Sequence, residues 1–307
     1  MTHDYHIPVM CREIVETLTT ESHHLFCDVT LGDGGHSEAL LQQSPQIVVI
    51  GIDRDSEAVQ RARIRLESYG ERFTALHGNF AQVRKLLMEQ GIAQVDGIVC
   101  DLGVSQLQIS QPRRGFMYSA SGPLDMRMQQ DTKVTAKDIV NRYSQNQLTE
   151  IIRKYGEERQ ARRIAEAIVK ARKHKPINRT NDLADIVRSV VGDRFVIKSL
   201  ARVFQSFRIV LNNELGNLET FLPQTLQVLR SAGRLAIIEY HSLESRIIKS
   251  FIYSQTHPCT CPKDLPKCVC GKVPGIKVVH RLVKPGDEEL KSNPGSRSAR
   301  LRVVEKL

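Results

Sequence analysis

The 307-residue chain carries 44 Lys and Arg against 34 Asp and Glu, a formal net charge of +10, with 41% hydrophobic and 25% charged residues. That balance excludes intrinsic disorder and collagen-like repeats, and the length suggests about two domains. No run approaches the ~18 apolar residues of a membrane span, residues 1–10 lack a signal-peptide pattern, and seven cysteines, an odd count over a long chain, argue against a disulfide framework, so a cytoplasmic protein with no membrane partner is expected.

In chain order, four short apolar runs read as strands: Leu25–Val29, Ile47–Ile52, Phe73–Leu76 and Val95–Cys100. Helical stretches separate them. The clearest has Asp55 as N-cap, apolar residues at Ala58, Val59, Ala62, Leu66 and Tyr69, and Gly70 past its end. Strands alternating with helices predict a parallel α/β sheet covered on both faces. From Ile139 to about Gly216 the periodicity is helical without a strand. Strand character returns at Arg234–Tyr240, a helix follows over Leu243–Tyr253, and Val278–Val283 and Leu301–Val304 supply two more strands. One sheet needs both halves, so the economical reading is an α/β domain over 1–110 and 206–307 interrupted by a helical domain over 111–205.

Charge is unevenly spread. Residues 1–110 carry net −7, whereas Arg142–Arg179 carries +7 and Lys272–Leu307 carries +5. A basic middle and tail beside an acidic front suit a polyanionic partner, with a solvated helix face as the plain alternative.

The first strand runs into DVTLGDGGHSEAL, Asp28–Leu40. Its glycines permit a tight turn and close approach of a ligand to the backbone. Asp53 ends the second strand, where a carboxylate can accept both hydroxyls of a ribose. The third glycine of the dinucleotide fingerprint would fall at Ser37, and no GxxxxGK[ST] phosphate loop is present. After the third strand, HGNF offers Phe80 as a stacking surface for adenine or as ordinary helix-start packing. After the fourth, DGIVCDLGVS puts Asp101 at the carboxyl edge of the sheet, where it either meets a ligand or caps its loop.

These motifs, with HIPVMCREIV (His6–Val15), RGF (Arg114–Phe116), GPLDMRM (Gly122–Met128), YGEE, RVFQSFRIVLNNEL (Arg202–Leu215) and YHSLESR, resemble the bacterial MraW-type methyltransferase family over essentially the whole chain. The resemblance implies a Rossmann-like class I S-adenosylmethionine-dependent methyltransferase sheet interrupted by an inserted all-helical domain. It implies transfer of methyl to the exocyclic amino group, N(4), of a cytidine in the decoding region of small-subunit (16S) ribosomal RNA. Gly34, Gly35, His36, Asp53, Phe80, Asp101 and Gln108 match the family's cofactor contacts. Small-subunit ribosomal RNA, within an assembled or assembling 30S subunit, is the implied partner, with a homodimer as the oligomeric expectation. The chain departs from the family's usual SFHSLEDR, NPRSRSAKLR and DLGVSS with EYHSLESR, NPGSRSARLR and DLGVSQ, which affects Glu239, Ser245, Gly295 and Gln106.

Methylating an amine mainly requires aligning donor and acceptor. A group accepting the amino N–H bonds localises the lone pair on nitrogen. Asp101 is the best-placed candidate, with His241 and Asp125 behind it. Cys100, inside an apolar run, reads as a buried strand cysteine rather than the nucleophile that carbon methylation would need. Cys259, Cys261, Cys268 and Cys270 form CTCPKDLPKCVC, read either as a structural zinc site or as a reduced, metal-free loop. Arg153, Lys154, Arg159, Arg162, Arg163, Arg172 and Lys175 are candidates to track phosphates. Aromatic residues make up 5% of the chain and Trp is absent, which disfavours repeated base stacking and favours one splayed-out cytidine. A nicotinamide-dependent dehydrogenase is disfavoured by the missing glycine. A non-catalytic RNA-binding ribosome-assembly factor on the same fold is the binding alternative.

Overall fold

Seven apolar runs form seven strands in the computed structural model, which describes residues 7–262 and 269–307. They are β1 (Leu25–Asp28), β2 (Val48–Asp53), β3 (Phe73–His77), β4 (Val95–Asp101), β5 (Leu229–Glu239), β6 (Ile276–Val283) and β7 (Arg300–Lys306). They make one sheet in the order β3-β2-β1-β4-β5-β7-β6. The pairs among β1 to β5 are parallel, and β7 runs antiparallel to both β5 and β6. This is the Rossmann-like class I sheet expected above.

The chain forms two compact units. The sheet unit runs to Gly103 and resumes at Leu215, and the other is Val104–Glu214. In the first, strand alternation sorts the core onto two faces. Phe26, Val49, Val99 and Ala236 pack on one side with Ile14 and Leu18 of α1 (Cys11–Leu18) and Leu40 and Leu41 of α2 (Gly35–Leu41). Cys27, Ile50, Ile98 and Ile237 pack on the other with Leu87 of α4 (Val83–Glu89), Phe221 of α11 (Glu214–Val228) and Ile248 of α12 (Ser242–Thr256). Both faces are apolar, which is why β4 is buried from Val95 to Cys100 without alternation in the sequence.

Two elements differ from the sequence reading. The helix capped by Asp55, α3, ends at Arg65 rather than Tyr69, and a three-ten turn, Glu67–Arg72, follows. Leu66 leaves helical geometry at φ −103°, ψ 11°, and its side chain stays in the core, so the apolar spacing continues after the helix stops. β5 starts at Leu229, five residues before the expected Arg234. Val95 pairs with Leu229, but Gly97 pairs with Arg234, so residues 230–233 bulge out of register. Arg230 in that bulge donates to Asp96 Oδ1 at 2.9 Å, and Asp96 Oδ2 accepts the amides of His24 and Leu25 at 2.9 and 2.8 Å.

The Val104–Glu214 unit is built from α5 (Gln106–Ser110), α6 (Ala136–Arg142), α7 (Gln145–Gly156), α8 (Ala161–His174), α9 (Thr180–Val190) and α10 (Val196–Asn212). Its bridge Pro123↔Arg179 is the isolated pairing among the described residues. Leu148, Ile151, Ile152, Ile164, Ile168, Leu183, Val187, Val203 and Phe207 recur at helical spacing and form its own core. Ser144 starts α7 in a reciprocal cap with Gln147. No helix of the described residues is long and apolar enough to cross a membrane.

Candidate functional site

Three adjacent parallel strands, β1, β2 and β4, each end in aspartate: Asp28, Asp53 and Asp101. The loops that follow them in an open α/β sheet form its ligand edge. Asp53 closes the glycine loop onto β2. Its Oδ2 accepts the Gly32 amide and its Oδ1 the Asp55 amide, both at 2.8 Å. Burial pushes its carboxyl up to about 6, against the pull of those two amides. Gly34 occupies the left-handed region at φ 87° as it enters α2, and a Cβ there would press on Leu66.

Asp28 is fully buried and accepts from Ser37 Oγ at 2.9 Å. Desolvation raises its pKa, while His36 and Ser37 act in the opposite direction. His36 is itself buried and its Nε2 lies 2.8 Å from the Val9 carbonyl. At the end of β3, the Gly78 amide donates to the Asp53 carbonyl at 2.9 Å, and Asn79 caps the short turn that begins with Phe80. Phe80 is half-buried, edge-on to Phe221 with centroids 5.3 Å apart.

Asp101 is held from both sides. Its amide donates to Thr30 Oγ1 at 2.6 Å, and its Oδ1 accepts from the Tyr240 hydroxyl at 2.8 Å. Burial again dominates, raising the Asp101 carboxyl to about 6, whereas His36 and Tyr240 favour its ionised form. Cys100 beside it is fully buried, and desolvation followed by the charge of Asp101 keeps its thiol protonated, as befits a core cysteine.

The sheet unit therefore gathers Gly34, Gly35, His36, Asp53, Phe80 and Asp101 along the loops that follow β1 to β4. His241 also lies in this unit, as the N-cap of α12. Its Nδ1 receives the Glu244 amide at 3.4 Å, and Glu244 Oε2 receives the amides of Tyr240 and His241 at 2.8 and 3.1 Å. Gln108 and Asp125 belong to the helical unit. Gln108 forms a capping box with Ser105. Asp125 grips Arg127 through both carboxylate oxygens, each at 2.8 Å, in a segment where Met126 takes φ 61° and Asn212 clamps the Met126 carbonyl and the Met128 amide. Gly122 begins this motif at a point where any Cβ would collide with the Pro112 carbonyl.

Sequence reasoning missed Thr30, Tyr240 and the role of Asp28. Asp28 carried the same strand-end signal as Asp53. Tyr240 directly follows an apolar strand, so its hydroxyl at the carboxyl edge was the available clue. Elsewhere, the sulfurs of Cys259, Cys261 and Cys270 lie within 4.8 Å of one another, and the Val269 amide donates to Cys261 Sγ at 3.4 Å. Cys268 lies outside the described residues. Arg153, Lys154, Arg159, Arg162, Arg163 and Lys175 are exposed, and Arg172 is half-buried through a bond to the Val140 carbonyl.

The sequence profile of the MraW methylase family matches residues 3–307. A protein of Carboxydothermus hydrogenoformans named ribosomal RNA small subunit methyltransferase H is 43% identical over 305 residues, covering 98% of each chain. One of the same name from Geobacter sulfurreducens is 45% identical over 309 residues, covering 98% of this chain and 99% of its own. A third, from Heliobacterium mobile, is 43% identical over 309 residues and covers 99% of each.

Proposed function

Because the chain belongs to the MraW methylase family, matched over residues 3–307, we propose that it transfers a methyl group from S-adenosylmethionine to N(4) of a cytidine in the decoding region of small-subunit ribosomal RNA. The observation that carries this reading is the row of strand-end carboxylates, with Asp53 fastened to the glycine loop and Asp101 to Thr30 and Tyr240. The donor set fits the cofactor. An ionised carboxylate offers about four lone-pair sites, so the single amide on each Asp53 oxygen leaves room for ribose hydroxyls. Gly34, Gly35 and His36 would hold the amino-acid end and Phe80 would flank the adenine. Asp28, Asp53 and Asp101 together favour a ligand of net positive charge.

Bound there, S-adenosylmethionine supplies a methyl on a positively charged sulfur that is already a good leaving group. The protein's task is then alignment and proton management. Asp101 accepts an N–H of the target amine and takes the proton that nitrogen sheds once methylated; a carboxyl titrating near 6 is tuned for that task. His241, engaged as a helix cap, and Asp125, forked on Arg127, are assigned to holding their own segments. Residues 111–205, inside the helical unit, are assigned to substrate recognition.

We further propose a structural zinc on Cys259, Cys261 and Cys270, with Cys268 as the fourth thiol. Sulfurs about 2.3 Å from a tetrahedral ion lie ~3.8 Å apart, so sulfurs within 4.8 Å need little movement. Metal analysis of the purified protein should return one zinc per chain, lost in Cys259→Ser/Cys261→Ser; a metal-free parent refutes the site.

The central test incubates the protein with methyl-labelled S-adenosylmethionine and small subunits, digests the RNA and identifies the labelled nucleoside by mass spectrometry. N(4)-methylcytidine is expected. Label in any other nucleoside sinks the assignment, and RNA binding without transfer leaves the assembly-factor reading in its place.

A further inference from the structure

Tyr240 is the residue after β5, and its position is determined at both ends. Its amide donates to Glu244 Oε2 at 2.8 Å and its hydroxyl to Asp101 Oδ1 at 2.8 Å. β4 and β5 run parallel with Asp101 opposite Ile238, and the Leu102 amide donates to the Ile238 carbonyl at 3.1 Å, so the two strands end side by side. The ring is half-buried next to Gly103, where even an added Cβ would lie 3.8 Å from it. In the family's usual motif this position is phenylalanine, which fills the same volume and cannot donate. We propose that Tyr240 is a positioning residue whose hydroxyl fixes the Asp101 carboxylate in one orientation and stabilises its charge. The proposal rests on the reading that Asp101 meets the cofactor or the target amine.

The groups facing Asp101 make this bond matter. His36 from α2 is the neighbour that favours its charge by Coulombic attraction, while Asp28 from β1 and Glu289 from α13 (Asp287–Ser292) disfavour it. Burial, then the charge of Asp101, then their hydrogen bond, with Glu244 and Glu289 behind them, hold the phenol far above its ordinary range. The hydroxyl thus remains a donor at every working pH. Removing it takes one of two stabilising influences from an anion with two acidic neighbours, and Asp101 then needs a higher pH to ionise.

The test compares the parent, Tyr240→Phe and Asp101→Asn. S-adenosylmethionine affinity by calorimetry and single-turnover methyl transfer are followed from pH 5.5 to 8.5, with thermal unfolding as the fold control. In Tyr240→Phe the acidic limb should move about one pH unit upward, making binding or transfer roughly fivefold weaker at pH 6 and within about twofold of the parent at pH 8. Superimposed profiles for Tyr240→Phe and the parent overturn the proposal. So does an equal loss at both pH values, which marks Tyr240 as packing alone. If Asp101→Asn behaves as the parent, the reading of Asp101 itself fails, and that result is distinct from a silent Tyr240→Phe.

Discussion

Asp53 does two jobs with one carboxylate: it holds the glycine loop through Gly32 and leaves lone pairs for a ligand. Asp53→Ala removes both, and S-adenosylmethionine binding measured by calorimetry should weaken by about 1.5–3 kcal/mol, the worth of hydrogen bonds to a charged group. Unchanged affinity in a folded variant contradicts the ribose role. A second residue-scale test concerns the buried pair of Glu239 and Arg302, 1% and 8% exposed. Both Glu239 oxygens take guanidinium N–H groups at 3.0 Å, and Arg302 Nη2 also lies 3.4 Å from Ser245 Oγ. The family's usual motif has serine and aspartate at these two positions, so the carboxylate has changed places around one arginine. Glu239→Ser should cost about 3–5 kcal/mol in urea unfolding by stranding a buried charge, and adding Ser245→Asp should recover most of it. A double variant no more stable than the single one shows that the site does not accept the exchange. Of the three carboxylates at the ligand edge, Asp53 and Asp101 were legible as acids at strand ends. Tyr240 and Thr30 were not, because their importance lies in a hydrogen bond across strands that no spacing along the chain encodes.

Elements were legible where periodicity and burial coincide. The inner strands and the helical stretch were readable because two-sided burial makes apolar runs and one-sided burial makes a 3.6-residue repeat, whereas the edge strands β3 and β6, with only Ala75 and Ile276 buried, were readable from their β-branched and aromatic residues. The end of α3 was not, since Leu66 and Tyr69 continue the apolar spacing through a three-ten turn. The bulge of β5 was equally hidden, because Arg230 and Gly233 look like a loop and the extra pairing of Leu229 depends on β4. On α7 and α8 the apolar stripe faces the unit's core, leaving Arg153, Lys154, Arg162 and Arg163 exposed, with Arg159 between the helices. If these cations meet phosphates, replacing Arg159, Arg162 and Arg163 with Gln should weaken RNA binding and flatten its log–log salt dependence by as much as about 2–3 units. S-adenosylmethionine affinity should not change. Parental RNA affinity and slope in the triple variant would make this a solvated helix face.

At the scale of the whole molecule, the strands that build the sheet are not consecutive in the chain. β4 ends at Asp101 and its partner β5 begins at Leu229, with the helical unit and most of α11 between them. That unit draws its own core from within Leu124–Phe207, whereas β4 and β5 pair across the whole of it. Local contacts form faster than distant ones. Pulse-labelled hydrogen exchange during refolding should therefore show protection on α7, α8 and α10 before the β4–β5 amides. Simultaneous protection would mean that the two units fold as one. The same topology acts on the ribosome, where the chain lengthens at ~5–20 residues per second. The largely buried strand β4 emerges and then waits about 6–25 seconds for β5 to be made, with one edge open to any passing strand. β6 waits as well, since its pairing is to β7, which is synthesised after it. A nascent chain of this protein is thus most open to mispairing while its helical unit is being made, and not at the start of synthesis.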